Sequence, residues 1–549
     1  MQKIARGHAG FATWPHLALW ALIAVLVIPT IGAGGFWWTD EARHAMGGVF
    51  ILDFIRDLPL SDPLGYAMRY FAQYPALALN WYLPGFYAAE AALFGLFGAS
   101  EAAAHWTVIA FCALGASVWF AWTREGWGPL PALVATASFL AVPEWNFWAR
   151  SVMLEAPAIA MFVLSVWCFE RYLDRPTFTR ALVAGLVIAL ALSIKQTVAL
   201  LLPALFVYGL WTPRRSALLR VQALPAYLLV IVALAVVALH AIKFGSLGLA
   251  ATVGDNRVDV GQSAGRLSLE RWMMYPHALV KTWGWPLLVL SAVGITWPSR
   301  KSEARLPLLY AWLGCWYLAM TLLLGSAGNA PRYTLYAFPA LAMFAARPLF
   351  LLQDRPALRN AMLAALLIVL GFNVWRSLNQ AVPYVNGYRE AAEFIQQSET
   401  QGPVLFAGKH DGNFIFHLRR LDDRRNDVVL RADKVLVSLA VHKYFGMESH
   451  VSSLDDIQSL IDRYGVEFIA VEQPDIVRVK EFGMLHELLQ RPEFERVAVL
   501  PVTSGGRAEA PDRIEIYRYR NYKPSLDTTI VIPLPHMGTE IRFERDARR

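Results

Sequence analysis

Apolar runs of about 20 residues recur from Trp14 to Arg376, separated by short polar stretches. This pattern predicts about eleven membrane helices. They lie near 15–35, 102–121, 129–146, 154–171, 181–194, 197–211, 222–242, 279–297, 306–324, 333–351 and 359–377. The polar positions carry a second pattern. Lys3 and Arg6; Arg124; Arg171, Arg175 and Arg180; Arg214, Arg215 and Arg220; Arg300, Lys301 and Arg305; and Arg355 and Arg359 fall into alternate loops. Basic residues collect on the cytoplasmic side of membrane proteins, so this alternation orients the chain. The N-terminus is expected in the cytoplasm, and an odd number of spans sends the C-terminal part outside.

The stretch 77–98 is apolar enough to imitate a span, but it contains Asn80, Pro84 and Glu90. If it crossed, every later Arg-rich loop would face outward. It is therefore expected to lie on the outer surface as an interfacial helix. Residues 41–58 mix Glu41, Arg43, His44, Asp53, Arg56 and Asp57 with apolar residues and are expected to form another. The first outer loop then runs over 36–101, and 243–278 is the second large one.

The alternation changes character near Pro383. Residues 388–398 have helical spacing, 403–407 (VLFAG) read as a buried strand, 454–464 as a helix and 466–471 (VEFIAV) as a strand. Strands near 495–501 and 513–519 would extend the sheet, and the last 25 or so residues read as irregular. The expected organisation is a transmembrane domain over 1–380 and a periplasmic α/β domain over 381–549. The fold class is a mainly α polytopic membrane protein with a C-terminal extracytoplasmic α/β domain.

Composition supports this division. Of 549 residues 56% are hydrophobic and 17% charged, which is low in charge for a soluble chain. The net charge of +7 is topogenic and gives no reason to invoke nucleic acid. Cys112, Cys168 and Cys315 lie in apolar spans and have no metal-type or disulfide-type spacing. The first apolar run reads as an uncleaved membrane helix, since many spans follow it.

Asp40-Glu41 follows Trp37-Trp38-Thr39 directly, at the exit of the first span. The Trp pair is an interface anchor, which puts both carboxylates at headgroup level. The same pair also reads as an ordinary acidic first turn of a helix. Arg150 and Glu155, in ARSVMLEAP, fall at the outer start of the fourth span, with Glu144 just before. They read either as an ion pair or as functional groups. Lys195 lies between two spans with almost no loop and wants an anion, either Glu155 or a phosphate. Arg332-Tyr333 open the tenth span. Lys195 and Arg332 both break the positive-inside trend, so topology gives them no reason to exist, and both suit a lipid-linked phosphate. His44, His105, His240 and His277 fall near the outer side. Glu41 with His44 leaves room for a divalent metal, although each lone His reads first as a packed or solvated residue. GAGG at 32–35 has the wrong length for a nucleotide-phosphate loop, and no Ser-His-Asp signature is present.

Together these residues resemble the type-C (GT-C) membrane glycosyltransferase superfamily. The likeness is to bacterial members similar to protein O-mannosyltransferases and the lipid A aminoarabinose transferase. It spans roughly 15–377 and rests on Asp40-Glu41, YPALALNWYLPGFYAAEAALFGLFGASEAAAHW, ARSVMLEAP, Lys195 and RYTLYAFPALAM, in that order. The resemblance implies that Asp40 is the catalytic carboxylate with Glu41 beside it. It implies a polyprenyl-phosphate sugar donor whose phosphate meets Lys195, Arg332 and Tyr333, with Arg150, Glu155 and His105 in support. It further implies an envelope lipid, glycan or protein acceptor at the outer face of the bacterial inner membrane. This chain departs from the family by having His105 where an Arg is common, and by lacking a basic-Pro-Pro turn. No cofactor is specified. The C-terminal domain is expected to shape acceptor access without a catalytic role. A transporter or flippase would place charges near the midplane and often shows inverted repeats; a non-catalytic glycan or lipid receptor would survive Asp40→Asn.

Overall fold

The computed structural model describes residues 13–32, 34–243, 267–300, 303–324, 331–398, 400, 402–439, 447–506, 509–524, 529–534 and 539–544. Most of the expected second outer loop lies outside them. Among the described residues, six helices are long and apolar enough to cross a membrane: Glu101–Trp127, Glu155–Asp174, Val221–Lys243, Leu306–Leu323, Pro331–Leu351 and Pro356–Leu378. Shorter apolar helices lie at Trp14–Thr30, Gly85–Phe97, Pro129–Leu140, Phe178–Ile194 and Gln196–Trp211. Each expected span thus coincides with an apolar helix, with two corrections. The span expected over 129–146 is broken at Val142-Pro143, because proline lacks the N–H that would continue the ladder. The span expected over 279–297 is two helices, Leu269–Thr282 and Trp285–Thr296, bent by 118°. Gly284 sits at the break with φ +84°, which suits glycine far better than a residue with a Cβ.

The apolar helices are α1 (Trp14–Val27), α5 (Glu101–Trp127), α6 (Pro129–Ala141), α8 (Glu155–Asp174), α9 (Phe178–Ile194), α10 (Leu202–Trp211), α11 (Leu224–Lys243), the bent pair α12 and α13, α14 (Leu306–Ala319), α15 (Phe338–Leu351) and α16 (Pro356–Leu378). Helix α5 is long because nothing interrupts it. The Ser100 hydroxyl accepts the Ala103 N–H at its start, and Gly128 stops it 27 residues later, about 40 Å away. Small residues let it approach α8: a Cβ on Gly115 would meet that of Ala160 at 2.9 Å. Trp119 stacks on Trp122 and meets Trp312 edge-on, all fully buried. The span over Pro331–Leu351 is 94% buried and forms the centre, whereas Val221–Lys243 and Pro356–Leu378 are 11% buried and form the rim.

Between α1 and α5 lie α2 (Thr39–Asp57), α3 (Pro63–Gln73) and α4 (Gly85–Phe97). Helix α4 covers part of the stretch 77–98. At 13 residues it is about 20 Å long, short of a bilayer core. The short helix α7 (Pro143–Ala149) follows the break after α6.

The C-terminal part holds a five-stranded sheet of β1 (Val404–Ala407), β2 (Val429–Arg431), β3 (Phe468–Gln473), β4 (Phe494–Pro501) and β5 (Arg513–Tyr519). Their order across the sheet is β2-β1-β3-β5-β4. β1 is parallel to β2 and β3, whereas β5 runs antiparallel to β3 and β4. Helices at Tyr388–Gln397, Asp411–Leu421, Leu454–Tyr464 and Lys480–Leu488 accompany it. The tail expected to be irregular instead pairs as a hairpin, Thr529–Leu534 with Thr539–Glu544.

This domain packs on the loop between α1 and α5 through polar contacts. The Arg419 guanidinium donates to Asp53 at 2.5 Å, the Tyr74 hydroxyl to Asp422 at 2.7 Å, and Arg431 to the Pro75 carbonyl at 2.8 Å. Asp53, Arg419 and Asp422 are buried, so each depends on its partner.

Candidate active site

Four non-membranous or helix-end segments meet where α2 begins. Helix α2 starts after Trp38. The Glu41 carboxylate reaches back to accept the Trp38 N–H at 2.9 Å, satisfying a donor that the helix leaves open. Its other oxygen accepts the Val152 N–H at 2.8 Å, tying α2 to the turn before α8. Both oxygens are thus engaged by the backbone, and the side chain is buried. Burial pushes the Glu41 pKa up, against the nearby His105 and these two N–H donors. The aromatic pair before it is anchored as well: Trp37 stacks on Trp38 at 4.6 Å, and Trp38 meets Trp148 at 6.0 Å.

Asp40 is different. It is half-buried, and among the described residues no hydrogen bond or ion pair uses its carboxylate. Its electrostatic neighbours are Tyr82, His44 and Arg332. Its adjacent partner in sequence therefore serves the fold, while Asp40 stays available.

Beyond it lies a three-charge cluster. Glu155, in the first turn of α8, is fully buried and accepts from Lys195, which caps α9. The Nε of Arg332 lies 3.5 Å from the same carboxylate oxygen, and the other oxygen, Oε2, is buried without a partner among the described residues. Two cations therefore share one carboxylate. The cluster carries one positive charge in excess, in a setting too dry for water to screen it. Aromatic faces complete the wall. Lys195 lies 5.8 Å from the Tyr333 ring and 6.0 Å from that of Tyr82, and Arg332 lies 5.7 Å from Trp148. Tyr336 fixes the backbone after Lys195 by pairing with Thr197 at 2.8 Å.

Asp40, Glu155, Lys195, Arg332 and Tyr333 are therefore brought together. Arg150 is not part of the cluster and does not pair with Glu155. It donates to the carbonyls of Leu26 at 2.8 Å, Ser377 at 2.7 Å and Gln380 at 3.3 Å, bracing two helix ends. His105 shares its Nδ1 with the Glu101 carbonyl at 2.8 Å and stacks on Phe36. Glu144 accepts from Trp148 at 2.7 Å, His240 meets the Leu79 carbonyl at 2.7 Å, and His277 is exposed. Glu41 and His44, for which the sequence left room as a metal pair, are each engaged by protein partners. The Glu41 oxygens are occupied, and His44 Nδ1 meets the Tyr87 hydroxyl at 3.1 Å. Burial pushes the His44 pKa down to about 4, so it is neutral. Among the described residues no three metal-ligating side chains gather. Tyr82, Trp148 and Tyr336 were not singled out by sequence; their aromatic richness was visible, but not which rings face the charges.

Comparison with known proteins adds to this geometry. The family model described as dolichyl-phosphate-mannose-protein mannosyltransferase matches residues 84–242. The crystal structure of ArnT from Cupriavidus metallidurans bound to undecaprenyl phosphate is 13% identical, with a TM-score of 0.57. That match covers 94% of this chain and 100% of the other. The fold is that of the GT-C glycosyltransferase superfamily. Another GT-C structure, the Archaeoglobus fulgidus oligosaccharyltransferase in complex with zinc and sulfate, is 12% identical with a TM-score of 0.51. It covers 83% of this chain and 68% of that one. No curated protein matches by sequence. The chain is a multi-pass membrane protein, and the first turn of α2, beside the charged cluster, touches its α/β domain.

Proposed function

We propose that the protein is an inverting glycosyltransferase. It moves a sugar from a polyprenyl-phosphate donor to an envelope lipid, glycan or protein acceptor at the outer face of the bacterial inner membrane. The observation that carries this reading is the placing of Asp40, whose carboxylate has no hydrogen-bond partner among the described residues, beside an electropositive cluster, Lys195–Glu155–Arg332. Group transfer from a phosphate needs both. The acceptor's O–H or N–H gives its proton to the Asp40 carboxylate as the acceptor atom attacks the anomeric carbon. The bond from that carbon to the phosphate oxygen breaks, and its electron pair leaves with the polyprenyl phosphate. The leaving group gains negative charge, which Lys195 and Arg332 stabilise. Tyr333 packs against both cations and holds them in place. A single displacement inverts the anomeric centre. The match to a structure solved with undecaprenyl phosphate supports a lipid-phosphate donor. The basic loops joined to the far ends of α5 and α8 support an outward orientation of the charged cluster.

The test is sugar transfer from a panel of polyprenyl-phosphate sugars to extracted envelope acceptors, with wild type and Asp40→Asn side by side. A general base contributes about 10²–10⁴-fold, so Asp40→Asn is expected to lose at least a hundredfold. Equal transfer by both proteins would move the base elsewhere. Polyprenyl-phosphate movement across the bilayer without transfer would favour a flippase.

A further inference from the structure

The C-terminal domain grips the turn that carries Asp40 from both sides. On the upstream side the Asn413 amide donates to the Phe36 carbonyl at 2.6 Å, and the Gly35 N–H donates to Asn386 at 2.9 Å. On the downstream side Arg43 makes two kinds of contact at once. One arm of its guanidinium donates to the Thr39 carbonyl at 2.7 Å, inside the first turn of α2. The other donates to both oxygens of Asp411, at 3.1 and 3.2 Å. Asp411 is nearly fully buried and is held from its own side by Arg431 at 2.8 Å. Between these holds the Gly412 backbone lies directly on α2: a Cβ there would meet that of Ala42 at 2.9 Å. One short run, Asp411–Asn413, therefore touches Phe36, Thr39, Ala42 or Arg43, the residues that bracket Asp40, either directly or through Arg43.

We infer that Asp411 is a positioning residue for transfer: through Arg43 it fixes the first turn of α2, so that the α/β domain sets where the Asp40 carboxylate points. The inference rests on the reading of Asp40 as the base. Its physical basis is that a carboxylate with no hydrogen bond of its own is oriented only by its backbone. Displacing a catalytic group by about 1 Å can cost about a hundredfold in rate. A lysine at 43 keeps the charge but cannot span Thr39 and Asp411 together, because it lacks the planar fork.

The experiment uses the full-length protein in lipid nanodiscs and the variants Asp411→Asn, Arg43→Lys and Gly412→Ala. Gly412→Ala keeps every charge and acts only by wedging α2. Three quantities are read: kcat for transfer, binding of undecaprenyl phosphate, and hydrogen exchange of the peptide 36–46. Glu303→Gln, which breaks a buried ion pair at the far end of the bundle, serves as the control for lost stability alone. The expected result is at least a tenfold fall in kcat in all three variants. Undecaprenyl phosphate affinity stays within about twofold, and exchange at 36–46 accelerates at least tenfold, which Glu303→Gln leaves unchanged. Wild-type kcat and exchange in these variants would overturn the inference. So would a fall in kcat no larger than the loss of folded protein, as in the control. Full activity in Asp40→Asn would overturn the reading of the base instead, and the exchange data would then decide alone whether Asp411 holds the turn.

Discussion

Helix α8 has a charged cluster at each end, and the two are built differently. At its C-terminal end Glu170 is buried and fully used: it accepts from Trp122 at 2.8 Å, Arg305 at 2.7 Å and Tyr208 at 2.5 Å. Arg305 also reaches Glu125 at 2.8 Å, and Glu303 accepts two bonds at 2.7 Å from Arg347. Each of these carboxylates is matched by its donors. At the N-terminal end Glu155 serves two cations with one oxygen, and among the described residues its other oxygen and the nearby Asp40 carboxylate serve none. A completed network locks helices together. An incomplete one costs stability and persists where an absent partner completes it. A cleft of about 410 Å³, lined by Trp127, Arg214 and Arg305, belongs to the completed end, so concavity and incomplete pairing do not coincide here.

The largest effect that would sharpen this contrast comes from Lys195→Met. It removes one of the two cations expected to meet the leaving phosphate, and kcat/KM for transfer should fall on the order of 10²–10³-fold. A fall below tenfold would mean that Arg332 alone suffices. Glu303→Gln should do the opposite: stability falls by about 3–5 kcal/mol, because Arg347 is left buried without a counter-charge, while kcat/KM of the folded fraction is unchanged. Thermal unfolding and rate assays on one preparation separate the two. Glu41→Gln lies between. Its amide accepts from one of the two N–H groups and confronts the other with a donor, so about 1–3 kcal/mol of stability is lost. Activity should fall less than for Asp40→Asn, and a loss as large would make Glu41 a chemical participant.

The smallest effect tests whether an uncomfortable charge must be functional. Burial, with Asp422 beside it, raises the Asp427 pKa to about 7. An unfolded Asp titrates near 3.9, so folding favours the protonated form. Stability linked to this group is full below about pH 4, declines as pH rises toward 7, and is lowest above it. Asp427→Asn should therefore match wild type at pH 4 and melt a few degrees higher at pH 8, with transfer rate unchanged. An identical pH dependence in both proteins would remove this group as its source.

Much of this was legible in the chain because membranes impose simple rules. Apolar runs gave the helices, and alternation of Arg-rich loops explains why Lys195 and Arg332 stood out as exceptions. Asp40-Glu41 was visible as a pair, but not its division of labour, because the partners of Glu41 are backbone N–H groups that leave no trace in side-chain pattern. Arg150 misled for the same reason. Its nearest acid in sequence suggested an ion pair, whereas its partners are carbonyls at Leu26, Ser377 and Gln380. The bend at Gly284 and the hairpin near the C-terminus leave no mark in the hydrophobic period.

Glu155 opens one helix and Lys195 closes another. The peptide dipoles of α8 place partial positive charge at Glu155, and those of α9 place partial negative charge at Lys195. Each member of the pair is therefore held by its own helix as well as by the other. In the proposed reaction, a phosphate that draws Lys195 away would leave Glu155 with Arg332 and the positive end of α8, and departure of the product would let the pair re-form. On that reading the bridge is a latch that opens and closes with each turnover without stranding a bare charge.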